Sequence, residues 1–127
     1  MAKEQTFYIC ETCGNLVGMV NNAGVPLVCC GKPMKELVAN STDAAKEKHV
    51  PVVEVSGGQC KVAIGSAPHP MTDEHLISWV YLQTGKGGQR KNLKAGEAPE
   101  AVFALVDDKA MCVYAYCNLH GLWKAEI

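Results

Sequence analysis

The chain has 127 residues, 48% of them hydrophobic and 20% charged, which suits one packed domain with a small satellite and excludes a large multidomain enzyme, a disordered segment or a fibrous repeat. A net charge of -1, with the basic residues scattered rather than blocked, argues against nucleic-acid binding. No apolar run reaches the roughly 18 residues that span a bilayer, and Met1 to Thr6 are polar, so we expect a cytoplasmic chain without membrane association.

Seven cysteines are many for a reducing compartment, where structural disulfides are disfavoured, and an odd number cannot all pair internally. Metal ligation is the leading explanation. Cys10, Cys13, Cys29 and Cys30 lie in the first 30 residues, whereas all four histidines lie at position 49 or later. This asymmetry predicts two modules, residues 1–37 and 38–127.

The first module is rich in turn residues: Gly14, Asn15, Asn21, Asn22, Gly24, Pro26, Gly31 and Pro33. A piece below about 40 residues needs a metal, disulfides or a partner to be stable. Cys10-Glu11-Thr12-Cys13 sets two thiolates on a tight knuckle, and Cys29-Cys30 supplies a second pair. Four soft ligands make a tetrahedral sulfur site for iron or zinc. The adjacent Cys29-Cys30 pair departs from the usual double CxxC and should distort the tetrahedron. A redox disulfide at the CxxC is the competing reading, but no βαβ unit surrounds it.

Residues 37–48 read as a linker. Beyond them, short apolar or alternating runs at 50–55, 61–65, 76–83, 101–106 and 111–116 read as strands, separated by Ser56-Gly57-Gly58, Gly85-Lys86-Gly87-Gly88 and Asp107-Asp108 as turns. The spacing predicts an all-β chain with an antiparallel β-sandwich. His49, His69, His75 and His120 each sit beside a turn-prone or capping element, and loops at one end of a sandwich converge. Prolines on both sides of His69 restrict its backbone. Cys117-Asn118-Leu119-His120 adds a thiolate and an imidazole three residues apart. Four imidazoles and one sulfur would leave one octahedral position open for a small substrate.

The strings FYICETCGNLV, LVCCGKPM, STDAAKEKHVPVVE, GSAPHPM, APEAVFAL and YCNLHGLWKAE together resemble the desulfoferrodoxins, the two-centre superoxide reductases, over essentially the whole chain. The resemblance implies a desulforedoxin-like domain whose iron is bound by Cys10, Cys13, Cys29 and Cys30. It also implies an immunoglobulin-like β-sandwich whose second iron has His49, His69, His75 and His120 in an equatorial plane and Cys117 as axial ligand. By the same resemblance Glu47 can occupy the sixth position of the oxidised iron, and Lys48 places positive charge beside the open face. Superoxide would be reduced to hydrogen peroxide, with a rubredoxin-like donor restoring the iron and a homodimer as the assembly.

Cys60 and Cys112 read as small buried hydrophobes, Met34 and Met71 as packing, and Trp79, Trp123, Tyr8, Tyr81, Tyr114 and Tyr116 as core or interface aromatics. Three other functions compete: an electron carrier without catalysis, a superoxide dismutase, and a zinc hydrolase. The last normally has three protein ligands and an activated water, which five ligands including a thiolate do not match.

Overall fold

A computed structural model describes residues 4–127. The chain divides into two compact units, one ending at Val38 and the other running Ala39–Ile127.

The first unit is built from β1 (Phe7–Ile9), β2 (Leu16–Gly18), β3 (Val28–Cys29), β4 (Lys32–Pro33) and β5 (Lys35–Glu36). Strand β1 lies between β2 and β5, antiparallel to both, while β3 and β4 form a separate two-stranded ribbon. Its apolar interior is slight: Phe7 and Cys10 are its only buried hydrophobic residues among those described, whereas Val20, Val25 and Val28 are exposed. So small an interior leaves the unit dependent on something else for stability, as its length implied.

The second unit starts with a single helical turn, α1 (Lys46–His49), inside the stretch read from sequence as a linker. Strands β6 (Pro51–Ser56), β7 (Gln59–Ile64), β8 (Ile77–Thr84), β9 (Gly87–Asn92), β10 (Glu100–Ala104), β11 (Ala110–Cys117) and β12 (Gly121–Glu126) follow. They make two antiparallel sheets, β10-β7-β6 and β12-β11-β8-β9. Alternation along β7 buries Cys60, Val62 and Ile64, and β10 adds Ala101 and Phe103. These meet Ile77, Val80, Leu82, Val113, Ala115 and Cys117 of the other sheet in one core. The arrangement is the all-β sandwich expected.

Two strands of this unit were not legible in the sequence. Gly87 and Gly88, read as part of a turn, open β9, whose residues are mostly exposed and polar. Strand β12 lacks alternation because Leu122 and Trp123 are both buried. One edge has a particular closure: the outward carbonyls of β10 at Val102 and Ala104 accept hydrogen bonds from the side chains of Lys91 and Gln89 on β9. Among the described residues no helix is long and apolar enough to cross a membrane.

Candidate metal centres

In the first unit, the sulfurs of Cys10, Cys13, Cys29 and Cys30 lie within 4.8 Å of one another. The β1–β2 connection makes the knuckle: Cys10 N–H donates to the Asn15 carbonyl and Gly14 N–H to the Cys10 carbonyl, both at 2.8 Å. Gly14, at φ 85, supplies the left-handed residue that this return requires. Neighbouring residues on a strand point to opposite faces, so Cys29 and Cys30 could not both reach one ion from an extended chain. The β3–β4 turn solves this. Cys30 and Gly31 have φ of 53 and 72, the two left-handed residues of a type I′ hairpin, and the strand alternation ends at Cys30.

Cys10, Cys29 and Cys30 do not hold their protons equally. The backbone N–H of Cys13, 3.5 Å from Cys10 Sγ, draws the Cys10 thiol down to about 6. Cys30 is pushed up to about 12, first by its sulfur neighbours Cys13 and Cys10, and Cys29 is raised by the same two. Crowded thiols resist losing successive protons until a cation neutralises them, which is the behaviour of a metal-binding set.

The second cluster is at one end of the sandwich. The start of β6 pairs with the end of β7 at Pro51 and Ile64, and the end of β11 pairs with the start of β8 at Cys117 and Ile77. His49 at the close of α1, His69 and His75 between β7 and β8, and His120 between β11 and β12 therefore face one another. A β-bulge at the Cys117 end of the β11–β8 pair interrupts the alternation there, so Ile77 rather than Ser78 turns inward.

Their rings form a closed circuit. Adjacent centroids lie 4.7 Å apart for His49 and His69, 4.6 Å for His69 and His75, 5.1 Å for His75 and His120, and 4.9 Å for His120 and His49. The cross-ring distance from His49 to His75 is 6.4 Å. Donor atoms of His49, His69, His75 and Cys117 lie within 4.8 Å of one another. His120 stands outside that tightest set, but its Nδ1 is 3.1 Å from His49 Nε2 and 3.8 Å from Cys117 Sγ.

Hydrogen bonds fix which nitrogen faces the middle. Nδ1 of His49 donates to the Ala45 carbonyl at 2.7 Å, and Nδ1 of His69 to the Pro70 carbonyl at 2.6 Å. That leaves Nε2 of each ring with a lone pair directed inward, where the two atoms are 3.2 Å apart. His75 Nε2 is buried with no partner. A buried, unpartnered ring nitrogen among lone pairs that face each other calls for a cation, and nitrogen with thiolate sulfur suits iron. Burial lowers the proton affinity of all three rings and takes His69 down to about 4, so they are neutral ligands at pH 7.

Glu47 and Lys48 are exposed on α1. The Lys48 charge contributes to the lowered proton affinity of both His49 and His75, so its field reaches the ring of histidines. The Glu47 carbonyl accepts from Ala67 N–H at 2.8 Å and Ser66 Oγ at 3.3 Å, binding α1 to the His69 loop. Gly65 makes this approach possible: a Cβ there would fall 2.6 Å from the Glu47 carbonyl oxygen, 3.0 Å from Lys48 C and 3.1 Å from His49 N. Gly65, Asn118 and Trp123 all shape the site without being singled out for it from sequence. Cys60 and Cys112 are buried and lie outside either cluster, as expected.

Comparison with known proteins places these sites in context. Residues 41–126 match the family Desulfoferrodoxin, and residues 2–37 match its N-terminal domain. A desulfoferrodoxin from Nitratidesulfovibrio vulgaris is 46% identical over 126 residues, covering 99% of each chain. A superoxide reductase from Pyrococcus horikoshii is 36% identical over 112 residues, covering 74% of this chain and 96% of its own. The crystal structure of the superoxide reductase from Treponema pallidum superposes with a TM-score of 0.83 at 45% identity, covering 98% of this chain and all of that one.

Proposed function

We propose that this chain, which belongs to the desulfoferrodoxin family, is a superoxide reductase that carries out one-electron reduction of superoxide to hydrogen peroxide at its histidine–cysteine centre. The chain has two iron centres, a four-cysteine site and a histidine–cysteine site. The observation that carries the reading is the circuit of four imidazoles with the Cys117 sulfur 3.8 Å from His120 Nδ1, five donors that would leave an octahedral metal one position for a small anion.

Ferrous iron held by these residues would supply one electron, the chemistry that with two protons turns one superoxide into one hydrogen peroxide. The chain's residues do the rest. His49, His69, His75 and His120 would hold the metal through ring nitrogens, two of the rings being locked by Nδ1–H bonds to backbone carbonyls. Cys117, fully buried at the end of β11, would hold the metal through its thiolate. Lys48 would attract the anion, and Glu47 would offer a carboxylate to the metal. Protons come from water, every histidine being committed to the metal. Residues 1–37 form the four-cysteine electron-transfer domain and residues 38–127 the catalytic domain. A rubredoxin-like donor returns the electron, and the active assembly is a cytoplasmic homodimer.

A dismutase would use the same ligands but both oxidise and reduce its substrate. Rapid anaerobic mixing of the reduced, metal-analysed protein with a superoxide pulse separates the two. We expect oxidation of the histidine-site iron with about one peroxide and no oxygen per superoxide. Evolution of oxygen would favour the dismutase, and iron that stays ferrous would favour a carrier.

A further inference from the structure

We infer that Asn118 is a positioning residue for the histidine–cysteine centre, clamping the segment that bears His75 to the loop that bears Cys117 and His120; the inference rests on the iron reading above. The side chain of Asn118 spans His75. Its Nδ2 donates to the Glu74 carbonyl at 2.9 Å, and its Oδ1 accepts the Leu76 N–H at 3.0 Å. These groups belong to the two peptide units that flank the His75 Cα. The backbone adds a third bond, from Asn118 N–H to the Leu76 carbonyl at 3.2 Å.

Thr72 takes the complementary half of the same two peptides. His75 N–H donates to Thr72 Oγ1 at 3.1 Å, and the His75 carbonyl accepts from Thr72 N–H at 2.9 Å and from Thr72 Oγ1 at 3.2 Å. All four polar groups of the peptides on either side of His75 are thereby engaged, which fixes the direction of its Cα–Cβ bond. The need for this is visible in the ring. His49 and His69 are aimed through Nδ1 bonds to carbonyls, and no such ring bond exists for His75 among the described residues. His75 is aimed through its backbone instead, and the residue doing so follows Cys117 directly. One amide side chain thus ties an equatorial ligand to the thiolate loop.

Only a carboxamide of this length offers a donor and an acceptor to both peptides. Asn118→Ala removes both bonds, and Asn118→Asp keeps the acceptor for Leu76 N–H but sets a carboxylate against the Glu74 carbonyl. In metal-free full-length protein, amide hydrogen exchange read by NMR should show Leu76 N–H exchanging about tenfold faster in Asn118→Ala, with Asn118→Asp between it and the native chain. In iron-loaded protein, the thiolate-to-iron absorption band of the histidine–cysteine centre should shift. Its iron should pass to a chelator about tenfold faster, while the four-cysteine centre keeps its spectrum and its metal. Native exchange at Leu76 with an unchanged band would overturn the clamp. So would equal loss of metal from both centres with a lowered Tm, which would mark a general loss of stability. If the native chain itself took up iron only at the cysteine site, the iron reading would fall, and the Leu76 exchange rates would still judge the clamp.

Discussion

The indole of Trp123 lies against the imidazole of His49, with centroids 4.8 Å apart and planes 27° from parallel, while its Nε1 donates to the His120 carbonyl at 3.1 Å. One buried side chain on β12 therefore braces two metal ligands that are 71 positions apart in sequence. Replacing Trp123 with Ala should cost about 3–5 kcal/mol, the range for deleting a buried aromatic. Trp123→Phe keeps a stacking surface and loses the bond to His120, so its cost should be about 1–2 kcal/mol. Urea denaturation of the metal-free protein measures both, and equal losses would show that the hydrogen bond, not the stack, is what matters.

Gly65 tests the packing of α1 on the His69 loop. A methyl group there meets three backbone atoms of α1, and backbone cannot swing away as a side-chain tip does. Gly65→Ala should destabilise the second unit by about 1–3 kcal/mol through overpacking. The variant should also lose metal at the histidine site, with the cysteine site full. Metal analysis showing native iron content at both centres would mean that α1 shifts without moving His49.

The buried histidines predict a specific pH response for the metal-free protein. Burial lowers the proton affinity of His69, His49 and His75, and the unfolded chain binds protons near the ordinary value of 6.5. Between 6.5 and about 4 the unfolded state thus holds more protons than the native one, so stability rises with pH there. It is fully present above 6.5 and declines as pH falls toward about 4. Urea midpoints at pH 7.5, 6, 5 and 4.5 should fall in that order, and a flat series would contradict neutral burial of the rings.

Lys48 supplies the test of steering. Lys48→Ala should slow superoxide capture several-fold at low salt and flatten the dependence of the rate on ionic strength. Pulse radiolysis at two salt concentrations reads both quantities. An unchanged second-order rate at low salt would remove the lysine from substrate capture.

The elements legible in the sequence were those whose residues alternate against a core, such as β7 with Cys60, Val62 and Ile64. Strand β9 escaped because its Gly87-Gly88 start and polar run carry no such pattern, and its place is set by pairing with β8. The short helix α1 escaped because four residues give no periodicity. Among the site residues, the cysteines and histidines were readable from their chemistry. Gly65 and Asn118 were not, since their importance lies in where the chain returns on itself in space: toward Glu47 for the first and toward Glu74 and Leu76 for the second.

The side chains of Gln89 and Lys91 that reach the Ala104 and Val102 carbonyls have a consequence unconnected with the chemistry. A strand at the border of a sheet is a template on which another chain can lay itself down, the first step toward ordered aggregates. Here two of the acceptors such a visitor would need are already engaged by groups from the facing sheet. A second chain pairing along β10 would first have to displace both side chains.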